Sequence, residues 1–285
     1  MVIMKEYKTL KVDEREEGIS IITLNRPERL NAINFEMIEE FLHYLNRLED
    51  NYDIHVVILT GEGRAFSAGL DLKDMSSLAS NELYKKDPRF RYLKTEDPIK
   101  ITYMLQRRIT QIMIKLRKIP QPVIAAVKGP AYGGGLALSL AADIRIAGES
   151  SIFCNAFIKI GVSGADCGST YWLPRIIGFS DAAEIIYTGK DVDAKEAERI
   201  RLVSRVVPDN EILEEALKIA NNMLGKSVLG LRLTKEALNL NMDAPSLEAA
   251  IELENRTQNV CSQSTDTREA SRAFFEKREP KFDKW

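Results

Sequence analysis

An α/β fold of stacked β-β-α units, followed by a helical C-terminal domain, is the architecture this 285-residue sequence predicts. Three observations carry it. Short β-branched runs alternate with helical patterns through the first two thirds of the chain. They recur without a strict sequence period, and after Pro208 only helical patterns remain. The alternation argues for packed layers of strands and helices, and the missing period argues against a solenoid of identical repeats. The expected division falls between a spiral core over residues 1–205 and a helical domain over 206–285, one large unit with a smaller companion.

The elements follow in order. Residues 18–24 (GISIITL) read as a strand ended by Asn25-Arg26-Pro27. Asn34 is placed to cap a helix whose apolar face is Met37, Phe41, Leu45 and Leu48. Residues 55–60 (HVVILT) form a buried strand bounded by Gly61 and Gly63. Residues 76–98 are long, polar and without periodicity, which marks a lid or binding loop, or else disorder. Apolar residues at Ile101, Leu105, Ile109, Ile112 and Leu116 give a helix stopped by Pro120. A second buried strand at 122–127 (PVIAAV) leads to the glycines at 133–135, a helix at 136–142 and a strand at 144–147. Four helices are expected at 210–224, 228–240, 246–260 and 266–277.

Composition bounds the function. With 45% hydrophobic and 29% charged residues, the chain buries a substantial core, and general disorder is excluded. The 40 Lys and Arg against 42 Asp and Glu leave a net charge of −2, which argues against work on nucleic acid or an anionic membrane. Three cysteines without a CxxC pair fit a reducing compartment, and two histidines cannot build a multi-histidine metal site, so no metal is expected. The N-terminus turns charged within a few residues, and the apolar stretch near 136–142 is stopped by Asp143, short of the ~20 residues of a membrane span. The expectation is a soluble, cytoplasmic protein.

Several motifs are near-misses. Gly61-Glu62-Gly63 follows a strand, but Phe66 stands where a dinucleotide loop needs its third glycine. Gly225-Lys226-Ser227 lacks the strand and first glycine of a phosphate loop. Ser67 and Ser163 lack the flanking glycines of a nucleophile elbow. Lys100, Arg107, Arg108, Lys115, Arg117 and Lys118 make one helix basic, which reads as a solvated or subunit-facing side rather than a nucleic-acid contact.

Two glycine segments agree with one another. Gly63-Arg64-Ala65-Phe66-Ser67-Ala68-Gly69-Leu70-Asp71-Leu72-Lys73 follows one buried strand and leads into a helix. Gly129-Pro130-Ala131-Tyr132-Gly133-Gly134-Gly135-Leu136 follows another and opens another helix. With Asn25-Arg26-Pro27, Leu30-Asn31-Ala32, GVSGADCGSTYWLPRIIG and the terminal AFFEKREPKF, the chain resembles the enoyl-CoA hydratase/isomerase (crotonase) superfamily over nearly its whole length.

That resemblance implies a crotonase-like spiral whose C-terminal helices assemble homotrimers or homohexamers. It implies an acyl-CoA thioester as substrate, with coenzyme A entering as part of it and no separate cofactor. The N–H groups of Leu70 and Gly134 become the donors to a thioester enolate oxygen, a kind of contact worth about 3–4 kcal/mol per donor. Arg29, Leu30, Ala68, Leu70, Leu72 and Lys73 line the coenzyme end, and Lys277 reaches a phosphate, in many relatives from a neighbouring subunit. Asp71 is expected to cap the helix after its loop.

The chain also departs from the pattern. The hydratases of this family use two glutamates, and the matching positions here are Ala137 and Phe157, neither able to move a proton. One carboxylate remains in the right stretch, Asp166, readable either as the proton-transferring group or as a cap for the helix beginning near Gly168. Hydratase or isomerase chemistry is the leading expectation. Dienoyl-CoA isomerisation, hydrolysis, decarboxylation and non-catalytic acyl-CoA binding are the alternatives. RNA binding through the first helix is disfavoured because that helix is acidic (Glu36, Glu39, Glu40, Glu49, Asp50).

Overall fold

The computed structural model describes residues 7–76, 85, 87–95 and 97–282. Its larger sheet runs in the order β1-β2-β3-β4-β6-β9. β1 (Leu10–Glu14) pairs antiparallel with β2 (Ile19–Leu24) in the register Leu10↔Leu24 to Glu14↔Ser20. β2, β3 (Val56–Gly61), β4 (Val123–Val127), β6 (Ile144–Gly148) and β9 (Val206–Val207) are parallel. Parallel strands are covered on both faces, which is why β3 and β4 read as unbroken apolar runs.

A smaller sheet joins β5 (Pro130–Tyr132), β7 (Ile152–Cys154) and β8 (Val192–Asp193). Single bridges Ser67↔Ala131 and Ile33↔Leu70 extend it. The chain leaves β3 or β4 of the large sheet, adds a short piece to the small one and enters a helix: α2 (Leu72–Ser76) after β3, α4 (Gly134–Ala141) after β4 and β5. This is the expected β-β-α spiral.

The helices form where local chemistry starts them. α1 (Phe35–Glu49) is capped by Asn34, whose side chain accepts from the Met37 N–H at 3.0 Å. α3 (Pro98–Lys118) starts three residues before the apolar period does, because Asp97 accepts from the Ile99 N–H and Pro98 takes the first turn. Leu105, Ile109, Ile112 and Leu116 of α3 join Met37, Phe41 and Leu45 of α1 over one sheet face. On the opposite face Ile19, Ile21, Val56, Ile58 and Ile124 meet Ile212, Ala216 and Ala220 of α8 (Ile212–Leu224).

α5 (Ser169–Ile177), α6 (Phe179–Thr188) and α7 (Ala194–Arg199) complete the first part of the chain. β9 and α8 lie beyond the division expected at 205/206, yet they complete the large sheet and cover its face. The change in packing comes after Leu224. α9 (Val228–Asn241), α10 (Leu247–Ser262) and α11 (Thr265–Glu276) are each capped by a serine, Ser227, Ser246 and Ser264. α10 buries none of its own residues.

Residues 77–84, 86 and 96 of the segment expected as a lid or binding loop lie outside the described residues. Its described later part includes a 3₁₀ turn at Pro88–Leu93 that buries Phe90 and Leu93.

Candidate active site

The loop after β3 is held from the side by Asn31. This buried residue, at φ 55°, donates from Nδ2 to the carbonyls of Glu62 (2.9 Å) and Ala65 (2.7 Å). Ser67 Oγ donates to the Asn31 carbonyl at 2.8 Å, so this serine is a buried staple between two loops rather than a nucleophile.

At the loop's end Asp71 accepts from the N–H groups of Lys73 and Asp74 and pairs with Arg26 at 3.0 Å. Asp71 is thus the expected cap of α2. Burial would raise its carboxyl pKa, but the bonds from Arg26, Asp74 and Lys73 outweigh it and hold the group below the usual carboxylate value.

These constraints aim a backbone group. The Ile33 N–H donates to the Gly69 carbonyl at 2.7 Å, and the Asp71 N–H donates to the Ile33 carbonyl at 2.9 Å. A parallel bridge of this kind uses the groups flanking Leu70 and turns the N–H of Leu70 itself the other way. No acceptor meets that N–H among the described residues.

Across from it, Gly133 (φ 50°) makes the turn into α4, and its own N–H bonds the Cys154 carbonyl. Gly134 is the first residue of α4, so its N–H has no intrahelical acceptor. A Cβ on Gly134 would lie 3.7 Å from Gly69 Cα, and one on Gly135 would lie 2.3 Å from the Ser67 carbonyl oxygen. The two glycine segments therefore touch. The left-handed conformation belongs to Gly133, while Gly134 and Gly135 serve close approach.

A cavity of about 90 Å³ opens between them, bordered by Ala68, Leu70, Leu72, Gly134, Phe157 and Ile160 among others. Four of the residues expected in the site, Ala68, Leu70, Leu72 and Gly134, are brought together there. Phe157, 5% exposed, puts its ring within 3.4 Å of where a Gly133 side chain would begin. It is an apolar wall. Ala137 is wholly buried on α4.

The other expected residues stand apart from this cavity. Arg29 is exposed at the end of a 3₁₀ turn, Pro27–Arg29. Leu30 (φ 50°) borders a second groove, of about 700 Å³, with Gly63, Arg64, Lys128 and Asp209. Lys73 is exposed on α2. Lys277 is the left-handed residue ending α11 and does not border the cavity of its own chain.

Asp166 does not border it either. The carboxylate does not cap α5, whose N-cap is Gly168 without a side-chain bond. Instead Oδ1 accepts from Gln106 Nε2 on α3 and from the Cys167 N–H at 2.6 Å. Burial, with Asp166 alongside, pushes the Cys167 thiol up. Burial likewise pushes the Cys154 thiol up to about 11, with Asp191 adding to the rise and Lys159 opposing it. Both thiols stay protonated at neutral pH and offer no base.

Sequence reasoning missed Gln106 and Ile160. The Gln106–Asp166 contact spans 60 positions and follows no local period. Asn31 was visible within Leu30-Asn31-Ala32, but its task of tying two loops together was not.

A spiral that sets two glycine-bearing strand-to-helix turns against each other is the crotonase fold. The chain belongs to the enoyl-CoA hydratase/isomerase family, whose model matches residues 14–97 and 95–284. It is 41% identical over 274 residues to the "probable enoyl-CoA hydratase EchA12" of Mycobacterium tuberculosis, covering 95% of this chain and 91% of that protein. It is 35% identical to the 1,2-epoxyphenylacetyl-CoA isomerase of Escherichia coli, covering 94% and 95%. The crystal structure of a "probable enoyl-CoA hydratase/isomerase" from Mycobacterium abscessus superposes with a TM-score of 0.86 at 35% identity, covering 97% and 99%. The protein is thus an enzyme of this family, acting on an acyl-CoA.

Proposed function

We propose that the N–H groups of Leu70 and Gly134 together hold the thioester oxygen of an enoyl-CoA, and that Asp166 moves one proton within the substrate. The observation that carries this reading is that the two residues whose N–H groups meet no acceptor among the described residues, Leu70 and Gly134, border one cavity, with Phe157 in its wall at one of the usual acid–base positions. An enolate oxygen between two such donors, at the positive end of α4, is stabilised where its charge develops. For a 3-enoyl-CoA, the Asp166 carboxylate takes a proton from C2, the electron pair delocalises to the thioester oxygen, and the proton returns at C4. The double bond moves from C3–C4 to C2–C3 and nothing is gained or lost. Hydration would need a second polar group to hold water, and neither Phe157 nor Ala137 supplies it.

Around this centre, Arg29, Leu30, Ala68, Leu72 and Lys73 are assigned to coenzyme A, which arrives with the substrate, so no separate cofactor is invoked. Lys277 is assigned to a phosphate of a neighbouring subunit's substrate. Homotrimers or homohexamers are supported by the apolar residues that α10 and α11 leave exposed, among them Leu247, Val260, Phe274 and Phe275. We place the protein in the cytoplasm.

The deciding experiment incubates purified protein with a panel of enoyl-, dienoyl- and β-ketoacyl-CoAs and follows products by mass spectrometry. Isomerisation leaves the mass unchanged while the absorbance shifts. Addition of water, or loss of coenzyme A, overturns the proton-shuttle reading. Tight binding with no turnover of any thioester overturns catalysis itself.

A further inference from the structure

The loop bearing Asp166 is fastened more firmly than a surface connection requires. The Gly164 carbonyl accepts from Asn155 Nδ2 and from Ser169 Oγ, both at 2.9 Å. Asn155 and Ser169 are buried. Cys167 and Gly168 follow with φ of 50° and 85°. The left-handed conformation is unfavourable for a residue that carries a Cβ, and it persists only where surrounding contacts impose it. Its consequence is local: it turns the Cys167 N–H back onto Oδ1 of Asp166 at 2.6 Å.

The second donor to that oxygen comes from a different layer. Gln106 is half-buried on α3, next to the core residue Leu105, and its amide Nε2 bonds the same Oδ1. Oδ2 receives no N–H or O–H among the described residues. Oδ1 therefore carries both N–H donors, and the Cys167 thiol hydrogen-bonds the same carboxylate as a weaker third donor.

We propose that Gln106 is a positioning residue for proton transfer, fixing the rotation of the Asp166 carboxylate by holding its Oδ1. The proposal rests on the reading of Asp166 as the proton carrier. The Cys167 N–H and its weakly donating thiol both come from the residue next to Asp166, so they leave the carboxylate free to turn with its own loop. A donor anchored on a long, core-packed helix removes that freedom, and small misplacements of a catalytic group are costly in rate.

The test is a double-mutant cycle on the full chain. Gln106→Met keeps length and helix propensity while removing the donor, and Gln106→Leu repeats the test with a different shape. Single-turnover conversion of a 3-enoyl-CoA is measured at enzyme excess, alongside KM, acyl-CoA binding by calorimetry and melting temperature.

The expected result is a turnover about tenfold to a hundredfold lower for both variants, the size of a lost hydrogen bond to a charged group, with KM and binding unchanged. In an Asp166→Asn background, the same substitutions should change turnover less than about twofold, because a residue acting through a group has nothing left to act on. Equal losses in both backgrounds would show a merely structural role and overturn the proposal. So would unchanged turnover of Gln106→Met and Gln106→Leu in a protein that Asp166→Asn inactivates. If Asp166→Asn itself leaves turnover intact, the underlying reading fails instead, and the two failures are told apart by that one variant.

Discussion

A Cβ built on Gly134 stands 3.8 Å from the backbone nitrogen of Leu70 and 3.3 Å from Cδ1 of Ile33. A methyl group fits that space if the Ile33 side chain gives by a few tenths of an ångström. The two further methyls of a β-branched residue have no such room, and they point where a thioester oxygen must enter. Gly134→Val should therefore lower turnover by about 10²–10³, the loss seen when one oxyanion donor is removed, while Gly134→Ala retains most of it. Steady-state kinetics on both variants, with circular dichroism to confirm folding, checks this. Near-normal turnover of a folded Gly134→Val protein would move the oxyanion site elsewhere.

Much of this arrangement was legible in the sequence, for a physical reason. The long parallel strands are buried on both faces, so residues 55–60 and 122–127 announce themselves as apolar runs between glycines. The strands of the small sheet, β5, β7 and β8, are two or three residues long and leave no period to read. Composition turns helical at Pro208, while α8 beyond it still packs on the sheet. The oxyanion loops were visible as glycine patterns. The contacts that orient them, Arg26 with Asp71 and Asn31 with Glu62 and Ala65, join residues 31 to 45 positions apart and had no local signature.

The Arg26–Asp71 pair sets a pH dependence with a definite sign. Its side chains are 14% and 11% exposed, so the pair is shielded from solvent. Asp71's folded pKa lies below its ordinary value of 3.8. A depressed carboxylate pKa stabilises the fold above the unfolded value, and that contribution is lost as pH falls through the folded one. Asp71→Asn should cost about 1.5–3 kcal/mol at pH 7, the range for a hydrogen bond to a charged group. Denaturant unfolding of both proteins from pH 7 down to pH 3 should show the gap narrowing only at the acid end. A constant gap would mean that the charge on Asp71 contributes nothing.

Assembly is open to a direct measurement. Phe274 and Phe275 are 79% and 83% exposed at the end of α11, beside Lys277. Apolar side chains so exposed and so close together mark a surface meant to be covered. Light scattering at micromolar concentration should give three or six times the mass of one chain. Phe274→Glu with Phe275→Glu should reduce that mass, and it should weaken acyl-CoA binding too if Lys277 serves a neighbour's site. A wild-type protein that stays monomeric would refute both assignments.

The sharpest prediction concerns Asp166→Asn. Asparagine keeps an Oδ1 able to accept from Gln106 and the Cys167 N–H, so the loop's fastening survives while the base is lost. The carboxylate does not cap α5, and the change should therefore leave the melting temperature within a degree or two of wild type. Turnover should fall at least ~100-fold with acyl-CoA binding little altered, the signature of an interaction made in the transition state alone. A second readout follows from using one carboxylate for both half-reactions. Conversion of a 3-enoyl-CoA in D₂O by the unaltered protein should give product that keeps part of the transferred hydrogen as protium, because the proton taken at C2 is the one returned at C4. Complete deuteration at C4 would mean that a second group, or water, delivers the proton, and it would end the single-carboxylate mechanism whatever Asp166→Asn does to the rate.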